Sequence, residues 1–163
     1  NDLANVTSES YVVSNSKGKC KLYTFTSSSG ANRIYNPHEN TTESQSIDAV
    51  STTLDDYFEN TNFFTKIKFV KIDVEGAEFQ VLLGMKSIIR ANPQIKLFIE
   101  FNPVCLKKIG TEPYELLKFL INENFTLFLV SNNMTEIKPS NPDEIMNSKL
   151  YEDHVVNLLC KRI

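Results

Sequence analysis

Lys68-Phe69-Val70-Lys71-Ile72-Asp73-Val74-Glu75-Gly76-Ala77-Glu78 decides how this chain is read. A short apolar run ends in carboxylates, crosses one glycine and passes into helical spacing. In an open α/β sheet, ligands bind outside the carboxyl ends of the strands, so acidic tips there are well placed to meet one. A second apolar run, Gln94 to Glu100, also ends on a carboxylate one helix later. Ile67 to Val74 reads as a strand covered on both faces. Val81, Leu82, Met85, Ile88 and Ile89 predict one amphipathic helix over 77–91, which Asn92-Pro93 ends because the residue before proline disfavours the α region. Gly84 inside it costs about 1 kcal/mol relative to alanine, which points to close packing there.

Downstream, Ile95 to Phe101 is the next strand. Thr111 caps a helix through about Asn122, with Pro113 in its first turn and Leu116, Leu117, Leu120 and Ile121 on its buried face. Phe125 to Val130 and Val155 to Cys160 are further strands, expected as an antiparallel edge pair because no crossover helix separates them. Residues 131–150 are polar. Upstream, Val6 to Val13 and Lys19 to Phe25 read as antiparallel strands joined by an Asn15-to-Gly18 turn, with Gly18 supplying a positive φ. Residues 26–46 lack an apolar period and read as a long loop, a candidate lid over an acceptor. Ile47 to Val50 is a short strand, and Thr53 caps a helix whose Asp55 and Asp56 suit the positive end of its dipole. The strand-helix alternation predicts a mostly parallel α/β sheet with right-handed crossovers and an antiparallel edge.

A chain of 163 residues fits one domain, and its formal charge of -3 with scattered Lys and Arg gives no basic patch for nucleic acid. The pair Lys107-Lys108 reads as solvated surface. Cys20, Cys105 and Cys160 lack metal or redox spacing and read as reduced thiols. His38 and His154 have no partner spacing for a metal and read as a loop residue and an edge-strand residue, so no metal site is expected. No run approaches the ~20 apolar residues of a membrane span, and no signal peptide is visible. No membrane partner and a cytoplasmic location are therefore expected. Asn-x-Ser/Thr matches at Asn5, Asn40, Asn124 and Asn133 would matter only in a secreted protein.

Phe69 to Met85, followed by Ile99-Glu100, resembles the central signature of the FkbM-type S-adenosylmethionine-dependent methyltransferases. Val50-Ser51-Thr52-Thr53-Leu54-Asp55-Asp56 is similar to the family's element ahead of that strand, and the likeness runs through about residue 130. The resemblance implies a Rossmann-like class I sheet, S-adenosylmethionine as cofactor, and a small-molecule or glycan acceptor methylated on a sugar or secondary-metabolite hydroxyl. It places Ser10 and Tyr11 near the adenine. The family's glycine-rich cofactor loop and its ribose-binding acid have no counterpart here, because Gly18, Gly30, Gly76, Gly84 and Gly110 are too dispersed. The chain therefore reads as the C-terminal two-thirds of a catalytic domain, a reading that its first residue, Asn1, also suits.

Methyl transfer needs an aligned acceptor, excluded water and, for a hydroxyl, a proton acceptor. Asp73 is the first choice to face the sulfonium or the acceptor, and Glu75 and Glu100 are candidates to accept the proton or bind polar substrate groups. Glu78 reads equally as a stabiliser of the helix start, and Gly76 as a tight turn. Two alternatives stay open: carboxylates that hold Mg²⁺ for phosphoryl or hydrolytic chemistry, and a non-catalytic α/β binding module.

Overall fold

The computed structural model describes residues 3–25, 32–36, 44–130, 137–147 and 155–163. They form a mixed α/β fold on two sheets.

The first sheet holds β1 (Val12–Val13), β2 (Gly18–Phe25) and β3 (Ser44–Thr52) in the order β1-β3-β2. The strand expected over 6–13 shrinks to its last two residues, because Thr7, Ser8, Glu9 and Ser10 offer no apolar face and stay exposed. Asn15 to Gly18 does not close a hairpin. Gly18 lacks a positive φ and opens β2 opposite Ser51, while β3 lies between the other two strands, parallel to β1 and antiparallel to β2. β3 begins at Ser44, so it is longer than the expected Ile47–Val50 strand. Of the expected loop before it, 26–31 and 37–43 lie outside the described residues, as do His38, His154, Asn40 and Asn133.

α1 (Leu54–Phe58) starts as expected, with the Asp56 N–H donating to Thr53 Oγ1 at 2.9 Å. Asp56 also pairs with Lys17 at 3.2 Å. Asp55 reaches further: its two oxygens accept the Ser87 and Ile88 N–H groups, each at 2.9 Å.

The second sheet runs β4-β5-β8-β6-β7, from β4 (Phe69–Ile72), β5 (Lys96–Phe101), β6 (Thr126–Val130), β7 (Ile137–Pro139) and β8 (Val156–Lys161). Only β4 and β5 are parallel neighbours among its described strands, which corrects the mostly parallel sheet with an antiparallel edge. β8 is central, antiparallel to both β5 and β6. The crossover through α4 (Pro103–Lys108) and α5 (Pro113–Asn122) returns β6 parallel to β5 one strand-width away, and β8 fills the gap from the opposite direction. Val156, Leu158 and Cys160 on β8 are buried in the core cluster. β4, by contrast, is an edge strand among the described residues, with Phe69 56% exposed, so it is not covered on both faces.

The expected helix over 77–91 is two helices, α2 (Glu78–Leu83) and α3 (Lys86–Ala91), although its apolar face is buried throughout as read. The break has tertiary causes. A Cβ on Gly84 would run into the Ser14 carbonyl oxygen, so the chain at Ser14 occupies the space. The Gly84 carbonyl accepts the Asp55 N–H at 2.9 Å, and the Asp55 carboxylate caps α3.

α5 starts at Pro113 behind Glu112, not behind a Thr111 cap; the buried Thr111 hydroxyl instead accepts from Gln80 Nε2 at 3.3 Å. Leu116, Leu117 and Leu120 are buried as expected, but Ile121 is 42% exposed. α4 and α6 (Pro142–Met146) had no counterpart in the sequence reading. Asn102 and Asn141 cap them ahead of a first-turn proline, where the missing N–H costs nothing. Lys107 and Lys108 are exposed on α4. Cys20, Cys105 and Cys160 are free thiols, the last two buried. No helix among the described residues is long and apolar enough to cross a membrane.

Candidate functional site

The sharp exit from β4 builds the rim. Glu75 and Gly76 have φ of 54° and 107°, two left-handed residues in succession, so the chain reverses within the turn before α2. Glycine is required at the second position, since a Cβ there would stand 2.8 Å from the Cys105 carbonyl oxygen. Glu78 closes the turn from beneath. It is 1% exposed, and its Oε1 accepts the Gly76 N–H at 2.9 Å and the Val74 N–H at 3.4 Å. Its other carboxylate oxygen is buried with no hydrogen-bond partner, and burial pushes its pKa up. The helix-stabilising alternative for Glu78 thus becomes a turn-closing role.

Asp73 and Glu100 lie side by side. β4 and β5 pair in parallel with Ile72 opposite Ile99, and the next residues on each strand are these two acids. Ile72 and Ile99 point into the core, so Asp73, Glu100 and Lys71 share the opposite face by the two-residue period of a strand. Lys71 Nζ is 2.7 Å from Asp73 Oδ2. The Glu100 pKa is pushed up to about 7 by partial burial first, then by neighbouring Asp73, Glu75 and Glu78.

Glu75 is tied to a residue that the sequence reading passed over. Arg33 Nη2 lies 3.2 Å from Glu75 Oε2, and its guanidinium sits 5.4 Å from the Phe25 ring and 5.6 Å from the Tyr35 ring. Backbone bonds between Arg33 and Tyr23, at 2.8 and 3.1 Å, lay this segment along β2. The Tyr35 phenol is pushed up to about 12 by burial, reinforced by Cys105. The available signal was Ile34-Tyr35, the one apolar island in an otherwise polar stretch.

Asp73, Glu75 and Glu100 therefore converge. Ser10 and Tyr11 line other concavities. Tyr11 borders a cavity of about 610 Å³ with Val13, Tyr57 and Phe63, its ring 6.2 Å from Tyr57, and both Ser10 and Tyr11 border one of about 470 Å³ beside Ile47 and Val50. Among the described residues no group of three His, Cys, Asp or Glu side chains could hold a metal ion.

The arrangement offers two acids on neighbouring strands, a lysine against one of them, and a third acid paired with Arg33. No curated protein and no solved structure matches the chain. The model of the methyltransferase FkbM domain matches residues 3–127, which contain the whole rim, and the chain belongs to the FkbM methyltransferase family.

Proposed function

We propose that this chain takes part in S-adenosylmethionine-dependent methyl transfer to a hydroxyl of a sugar or secondary metabolite, within a Rossmann-like class I domain. The observation that carries it is that Asp73 and Glu75, just beyond the carboxyl end of β4, stand beside Glu100, the penultimate residue of β5, inside the family's matched region. When bound, the cofactor supplies a methyl carbon activated by a sulfonium cation. The rim fits such a cation: it is anionic, and the Asp73 side chain is 39% exposed. Asp73 faces the positive charge, and Glu100 takes the acceptor's proton, its pKa of about 7 matching a base at neutral pH. Glu75, held by Arg33, shapes the acceptor side. The adenine contact of Ser10 and Tyr11 remains part of this proposal, with the cavity beside Ile47 and Val50, which both residues border, as its place. The edge that β4 presents among the described residues is where a strand carrying the family's glycine-rich loop would pair.

Asp73→Ala tests the reading in a longer chain that carries such a loop. Methyl transfer, followed with a radiolabelled methyl group, falls by more than about 100-fold, while stability changes by about 0.5 kcal/mol or less, since Asp73 makes a surface ion pair. Undiminished transfer by the folded variant removes Asp73 from the mechanism.

A further inference from the structure

We infer that Arg33 is a positioning residue: its ion pair with Glu75 clasps residues 32–36 to the β4–α2 turn and sets where Glu75 presents its carboxylate to an acceptor. Arg33 is anchored from both ends. Its main chain exchanges two hydrogen bonds with Tyr23, at 2.8 and 3.1 Å, which fixes it along β2. Its side chain runs from there to the rim. The guanidinium lies 5.4 Å from the Phe25 ring and 5.6 Å from the Tyr35 ring, and Nη1 donates to the Tyr35 hydroxyl at 3.2 Å. Nη2 then reaches Glu75 Oε2 at 3.2 Å, across 42 positions of sequence. The side chains of this pair are 16% and 24% exposed, against 57% and 39% for Lys71 and Asp73, so solvent screens it less.

The far end of the clasp is strained. Glu75 has φ of 54°, a region that a glutamate enters only at a cost in backbone energy. Glycine would close the same turn without that cost, as Gly76 does at φ of 107°. Glu78 holds the turn through the Gly76 and Val74 N–H groups, independently of the Glu75 side chain. What glutamate adds at position 75 is therefore its carboxylate, and Arg33 is what orients it.

The consequence for chemistry rests on the methyl-transfer reading. With Oε2 engaged by Arg33, Oε1 is the oxygen that accepts a hydrogen bond from a hydroxyl of a polyol acceptor, and residues 32–36 wall that side of the rim. Arg33 touches no reacting atom and acts through Glu75.

Amide hydrogen exchange of the chain, followed by NMR, tests the clasp without cofactor or acceptor. In the parent, the Tyr23 and Arg33 amides are protected by their mutual bonds. Glu75→Gln removes the charge at the far end and lowers protection at these two amides by about tenfold, with the amides of β5 and β6 unmoved. Arg33→Met does the same, and the double variant falls no further than either single one, because both break one interaction. Unchanged protection at Tyr23 and Arg33 in Glu75→Gln, an equal fall throughout β5 and β6, or additive falls in the double variant overturns the inference. In a chain active in methyl transfer, Arg33→Met raises the KM of the acceptor by about tenfold and leaves that of the cofactor in place; an unmoved acceptor KM overturns the positioning role. Exchange coupling in a parent that transfers no methyl leaves the clasp standing and sinks the functional reading alone.

Discussion

Gly84→Ala sets two effects of opposite sign against each other. Gly84 has φ of -79° and ψ of -1°, a backbone that alanine adopts without strain. Chain entropy then favours alanine by about 0.4–1 kcal/mol through the unfolded state. Helix propensity at the end of α2 points the same way. Against this, the new Cβ would overlap the Ser14 carbonyl oxygen and stand 3.1 Å from its carbon and 3.3 Å from Asn15 Cα. These are backbone atoms, and no rotamer change relieves the overlap. Ser14 is further held by its N–H bond to the Thr52 carbonyl at 2.9 Å, and Gly84 by the Asp55 N–H at 2.9 Å. Overpacking of this kind costs about 1–3 kcal/mol, and the fixed backbone puts it at the upper end. The balance is a loss of about 2 kcal/mol, which for this length lowers Tm by about 4–8 °C and the urea midpoint by about 1 M. Paired urea melts with an unchanged slope measure it. A Gly84→Ala chain as stable as the parent, or more so, refutes the close approach of the β1–β2 connection to the α2–α3 break.

Asp55→Ala removes the acceptor of both the Ser87 and Ile88 N–H groups, and stability drops by about 1–2 kcal/mol in the same melts. Glu100→Gln tests the acid rim through pH. The native state binds the Glu100 proton more tightly than the unfolded chain does, so its contribution is full below about 4.5 and is lost as pH rises through about 7. The glutamine variant lacks that loss. It gains on the parent across this window, levelling at about 1–2 kcal/mol because partial exposure screens the effect. Parallel stability curves for the two proteins from pH 4 to 8 would contradict the raised Glu100.

The residues of the rim were legible because the signals are local. Alternation and apolar runs placed β4, β5 and β6, and the lone glycine after Glu75 marked the turn that its φ of 107° confirms. The buried face of Val81, Leu82, Met85, Ile88 and Ile89 also followed from period alone, since spacing decides which side of a helix is apolar whether or not the helix is continuous. Asp73 and Glu100 could be placed at strand tips, and the family resemblance rested on the same residues.

Sequence by itself thus determined β4, β5, β6 and β8, the apolar face over 81–89, the acids near the strand ends and the family, but not α4, α6 or β7. Only the tertiary structure decided who neighbours whom. The α2–α3 break depends on Ser14 and Asp55, both distant along the chain from Gly84. Arg33 meets Glu75 across 42 positions, and β8 enters between β5 and β6 after the rest of their sheet in chain order. Period and propensity act over a few residues. A contact of long sequence separation forms because the whole core buries more apolar surface with it than without it, and no window of the chain carries that sum.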